Sequence, residues 1–121
     1  MKVLALLVAT GVLAAAPVRA TLNAPTHSPK IKTKWYYTVR ATSGGKPASA
    51  RVTVEIVDLL GSAHPVDYDG TKRPIVSRPF KGTFRDYVIW PPESRGFKST
   101  LRVTVKAGAT KKVLTYPVVP R

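Results

Sequence analysis

The sequence predicts an all-β fold, a sandwich of six to seven short strands, on three observations. Apolar residues recur at every second position in several segments, which is the period of a half-buried strand. Glycine- and proline-rich turn signals separate those segments, as the frequent reversals of a sandwich require. Beyond the first twenty residues, no segment repeats its apolar positions at helical spacing.

The opening of the chain has a different logic. Met1-Lys2 is a short positive start, and Val3 to Ala16 is an apolar run broken only by Thr10 and Gly11. Val18-Arg19-Ala20 then offers compact side chains three and one residues before Thr21. This is the three-part layout of a signal peptide, with an apolar run too short to cross a ~30 Å hydrocarbon core comfortably. An uncleaved anchor would need a longer run, and a lipoprotein would need a cysteine, which the chain lacks. No transmembrane segment is expected after signal cleavage, so the expected location is extracytoplasmic, secreted or in a bacterial envelope. The regions follow as 1–20 signal peptide, 21–29 tether, and 30–121 β-sandwich domain.

Residues 21–29 (TLNAPTHSP) are polar, hold two prolines and show no period, hence the tether. From there Trp35, Tyr37, Val39 and Ala41 share one face of an extended segment. Ala50, Val52, Val54 and Ile56 alternate with Arg51, Thr53 and Glu55 in the next. Between them Ser43-Gly44-Gly45-Lys46-Pro47 supplies the positive φ of a tight reversal, so these two segments are expected to form a hairpin. His64 to Tyr68 is a candidate short strand ending at the Asp69-Gly70 turn. Pro65, Pro74 and Pro79 confine this middle region to edges, bulges or loops. Phe84, Val88 and Trp90 share a face that also carries Asp86. After the Pro91 to Gly96 loop, Leu101, Val103 and Val105 alternate with Arg102, Thr104 and Lys106. A turn at Gly108 leads to Leu114, Tyr116 and Val118 in a closing hairpin. The expected core is Trp35, Val52, Val54, Ile56, Leu101, Val103 and Val105.

The stretch Gly44-Gly45-Lys46-Pro47-Ala48-Ser49-Ala50-Arg51-Val52-Thr53-Val54, with the aromatic strand, Trp90-Pro91 loop and LRVTV strand of the closing half, resembles exported bacterial Ig-like or fibronectin-III-like domains. The resemblance covers most of residues 30–119 and implies a single Ig-like Greek-key β-sandwich. Such domains serve as spacers, adhesion modules and binding platforms, so the fold does not select a function.

The inventory argues against catalysis. There is no cysteine and no G-x-S-x-G elbow, and only two histidines are present. His27 falls in the tether, and His64 has no serine that it obviously activates. His64, Asp67 and Asp69 fall within six positions but match neither a zinc nor a calcium ligand pattern, and the two aspartates are better read as shaping a turn. No catalytic residue, metal or cofactor is therefore expected.

Charge gives the one directional clue. The formal net charge is +14, and removal of Lys2 and Arg19 with the leader lowers it to +12. Such an excess suits anionic partners or serves solubility. Tyr36, Tyr87 and Tyr116 could offer stacking surfaces, but no nucleic-acid-binding motif is present and export removes the usual target, so no specific nucleic-acid partner is expected. Lys30, Lys32, Lys34 and Arg40 alternate away from Trp35, Tyr37 and Val39, and the expected hairpin would bring Arg51 onto the same face. That basic face is the candidate site, for an anionic envelope polymer. The alternatives are an accessory factor or enzyme inhibitor that presents the Trp90 to Gly96 loop to another protein, and a carbohydrate-binding module.

Overall fold

The computed structural model describes residues 16–121; most of the expected signal peptide lies outside the described residues. The strands are β1 (Val18–Asn23), β2 (Lys34–Ser43), β3 (Lys46–Pro47), β4 (Ser49–Val57), β5 (Ala63–Pro65), β6 (Arg78–Lys81), β7 (Thr83–Ile89), β8 (Ser99–Ala107) and β9 (Thr110–Val118). They form two antiparallel sheets. Sheet A runs β1-β2-β7 with β3 on the end of β2, and sheet B runs β5-β4-β8-β9 with β6 also on β4. The all-β sandwich read from the sequence is the observed architecture.

The inner faces are the alternating apolar positions. Tyr37, Val39 and Ala41 of sheet A and Val52, Val54, Leu101 and Val103 of sheet B are fully buried, and Trp35 and Val105 nearly so. Ile56 is only partly buried against them. Each buried valine or leucine contributes roughly 1.5–3 kcal/mol of hydrophobic stabilisation. Trp90 is buried too, edge-on to Trp35 with ring centroids 5.7 Å apart. The loop between β5 and β6 closes one side, inserting Val66 and Ile75 beside Val54 through the bonds Val54 N–H to Ile75 O and Val66 N–H to Val54 O.

Two expectations are corrected here. The Gly44-Gly45 turn is real, with φ of 59° and 78° at its two central residues, the signature of a type I′ reversal. Its second arm, however, is only β3, which pairs Thr42 with Pro47 and Ser43 with Lys46. Pro47 has no N–H to extend the ladder, and at Ala48 the chain crosses to sheet B. Segments β2 and β4 therefore face each other across the core instead of pairing.

The second correction concerns the tether. Thr21 to Asn23 belong to β1, which pairs antiparallel with β2 from Val18 opposite Ser43 to Asn23 opposite Thr38. Its alternate residues Ala20 and Leu22 pack on the core, a two-residue period too brief to register in the sequence. Farther on, His27 stacks on Tyr116 with centroids 4.0 Å apart and its Nδ1 donates to Pro117 O at 2.6 Å. Val119 N–H donates to His27 O, and Arg121 N–H to Pro29 O. The segment is tied down along its length.

Candidate functional site

The outer face of sheet A carries a ladder of aromatic and basic side chains. Strand alternation turns Lys34, Tyr36 and Arg40 of β2 outward, because Trp35, Tyr37 and Val39 point into the core. On β7 the same rule turns Arg85 and Tyr87 outward, opposite buried Phe84, Asp86 and Val88. The register sets Tyr36 directly across from Tyr87, and the rings meet edge to face at 5.5 Å. The Arg85 guanidinium lies 4.1 Å from the Tyr36 centroid, and the Lys34 ammonium 4.7 Å from that of Tyr87. Each contact is a cation–π interaction of about 0.5–1 kcal/mol at an exposed site. One face of each ring is thus engaged by a cation of the protein.

A groove of about 530 Å³ runs from this ladder to the 23–33 segment, and Lys30, Lys34, Tyr36, Arg85 and Arg121 are among the residues that line it. No aspartate or glutamate side chain lines it. Its rim is fixed by local bonds. Thr33 Oγ1 donates to Lys30 O at 2.7 Å, Trp35 Nε1 to Thr26 O at 3.0 Å, and Arg121 Nε to Ser28 O at 3.2 Å. Like charges lining one groove reinforce one another's field wherever they come within the ~8 Å Debye length of physiological salt.

The five residues predicted as one basic face are divided by the fold. Lys30 and Lys34 line the groove, and Arg40 lies farther along the same sheet surface, paired with Thr83 and Thr21. Lys32 precedes β2 in a turn at φ 63°, where its N–H donates to Trp90 O, and it does not line the groove. Arg51 projects from the outer face of sheet B, on the far side of the sandwich. It could join the others only if β2 and β4 were neighbours. Arg85 and Arg121 complete the groove instead. Arg85 was detectable in sequence as the outward partner of Phe84, whereas Arg121 reaches the site through the docking of the chain's last residues.

At the end of the sandwich near Trp90, the Asp58 carboxylate accepts from Leu60 N–H and Ser62 N–H, both at 2.9 Å, and meets His64 Nε2 at 2.8 Å. These partners, the His64 contact foremost, hold the Asp58 carboxyl below its ordinary pKa. The turn so fixed displays Leu59 and Leu60, beside Phe97 on a cleft of about 760 Å³. Asp67 pairs with Pro74 in an isolated bridge, and Asp69 adopts a left-handed φ of 45° in a 3-10 turn.

No family description and no curated protein matches this chain. Among solved structures it is similar to a DUF4426 family protein from Pseudomonas aeruginosa, at 16% identity and a TM-score of 0.50, covering 86% of this chain and 92% of the other. It is also similar to part of a family 123 glycoside hydrolase from Clostridium perfringens, at 7% identity and a TM-score of 0.52, covering 87% of this chain and 27% of the enzyme. Both likenesses concern the β-sandwich fold alone.

Proposed function

We propose that this protein is a non-catalytic, exported Ig-like domain that binds a linear anionic polymer of the cell envelope along the outer face of sheet A. The observation that carries the reading is the groove lined by Lys30, Lys34, Arg85 and Arg121 without an opposing carboxylate side chain. The tyrosines strengthen it. With Arg85 over Tyr36 and Lys34 over Tyr87, each ring holds a cation over one face, and that face is closed to a stacking neutral sugar. That favours an anionic ligand over the neutral glycan of a carbohydrate-binding module. The Ig-like assignment is supported by the strand order: with the short β3 and β6 set aside, β1-β2-β7 faces β5-β4-β8-β9, the three-plus-four arrangement of such sandwiches.

The test is sedimentation of the protein with isolated cell walls at low salt. Lys30→Glu with Lys34→Glu is expected to lower binding at least tenfold, while Lys72→Glu with Lys98→Glu, equal in charge change but outside the groove, lowers it far less. Equal loss in the two pairs would mean that net charge alone drives adsorption. A second reading, docking of a protein partner at the Trp90 end, is favoured by the exposure of Leu59, Leu60 and Phe97. It predicts that Leu60→Glu with Phe97→Glu, and not the lysine pair, abolishes envelope binding.

A further inference from the structure

The outer face of sheet B carries a second charge anomaly. Arg51 of β4 lies directly opposite Lys106 of β8, and Lys106 directly opposite Lys111 of β9. All three are exposed and share the outer surface, because their neighbours Val52 and Val105 point inward. Directly opposed like charges on adjacent strands are destabilising, since their Cβ atoms lie only about 4.5–5.5 Å apart. The same two strands show the ordinary solution four residues away. There Glu55 faces Arg102, and the pair closes to 3.0 Å.

The unmatched row borders a groove. A depression of about 700 Å³ is lined by Arg51, Lys81 and Lys106 together with Phe80 and Pro79, and by no carboxylate side chain. The Arg51 guanidinium is steadied by Ser77 O at 2.8 Å. Lys81 sits opposite Ser49, two residues before Arg51 and therefore on the same outer side. A row of cations that repel one another around a concave surface is relieved when an anion lies among them.

We infer that this face is a second polyanion site, so that the domain is bivalent and bridges two polymer segments, one on each side of the sandwich. The inference rests on the proposed function for its ligand class and adds a site that reading does not use. Stacked sheets lie about 10 Å apart and their outer faces look in opposite directions. Occupancy of both faces therefore joins polymers, and on one long chain it raises avidity without a new kind of contact.

The test uses the full chain with linear polyphosphate as probe, and poly-glutamate in a parallel arm to separate phosphate from carboxylate preference. Short oligomers counted by titration calorimetry are expected to bind at two equivalents per chain, and long polymers to give light scattering from cross-linking. Lys106→Gln with Lys111→Gln should reduce the count to one, abolish the scattering and weaken long-polymer binding by about 100-fold. In polymer-free buffer the same variant should melt higher than wild type, because the repulsion is gone; this also reports that it folds. Lys30→Glu with Lys34→Glu should leave one equivalent, the sheet B site. A wild-type count of one that Lys30→Glu with Lys34→Glu removes, or a sheet B variant that keeps two, overturns the second site while leaving the first intact. No binding by wild type in either arm overturns both readings.

Discussion

Asp86 shows how one side chain can break a pattern for a structural reason. It occupies an inward position of β7 among Phe84 and Val88, and it is 4% exposed. Its Oδ2 accepts from Asp69 N–H at 3.1 Å, which ties the 3-10 turn Tyr68–Gly70 onto sheet A. Burial raises the Asp86 carboxyl above its ordinary pKa, and its backbone hydrogen bonds only partly offset that rise. Across the strand pair, Tyr37 is pushed up by its own burial and by the charge of Asp86, and its buried hydroxyl has no hydrogen-bond partner among the described residues. The sign of the linkage follows. A carboxyl with a raised native pKa holds more protons folded than unfolded, so its contribution falls as pH rises from the ordinary carboxylate value, about 3.9, through the native one. Asp86→Asn keeps an acceptor for Asp69 N–H and removes this term. In urea denaturation, the stability of the variant relative to wild type is expected to grow from pH 4 to pH 7; parallel profiles would show that Asp86 stays ionised at no cost.

Among the elements, the two passages between sheets decide the topology. The chain leaves sheet A at Pro47 and returns to it at Gly82, where β6 of sheet B gives way to β7. The passages are stitched together by Ala48 N–H to Ala41 O, Gly82 N–H to Ala48 O and Ala41 N–H to Gly82 O, each 2.9–3.0 Å. Gly82 has φ of 76°, and a Cβ there would stand 2.9 Å from Pro47 Cβ. Gly82→Ala should therefore destabilise by about 2–4 kcal/mol, from left-handed strain plus overpacking. The control Gly108→Ala, at a φ of 57° with open space around it, should cost only the conformational part. Thermal melts of the two variants check this, and equal losses would remove the packing argument. These crossings also mark what the sequence conceals. Strands β4, β8 and β9 and the inner faces were legible because alternation reports which side is buried. Alternation is blind to which sheet a strand belongs to: Phe80, Gly82 and Phe84 keep step through a change of sheet. The candidate site suffered from the same blindness. Lys34 and Arg40 share the outer face of β2, whereas Arg51 could join them only beside a strand that the fold puts across the core.

For the whole molecule, β1 sets an order of events. The expected cleavage point, between Ala20 and Thr21, falls in the middle of a strand whose residues on both sides are paired with Ala41 and Arg40. A peptidase needs its substrate extended and unpaired, so in the folded chain the bond is reachable only through local opening of the strand. If a leader is removed there during export, export and folding compete. A chain cut before it folds begins at Thr21 and keeps three of the six residues of β1, whereas a chain that folds first shields its own processing site. Refolded full-length protein should accordingly resist signal peptidase that cuts the urea-unfolded chain, and Gly82→Ala should be cut faster than wild type. Cleavage of both states at one rate would mean that the edge strand opens freely. If the race is real, Ser43, Thr42 and Ala41 have different neighbours in the precursor and the processed form, and the edge of sheet A becomes a record of when each molecule was cut.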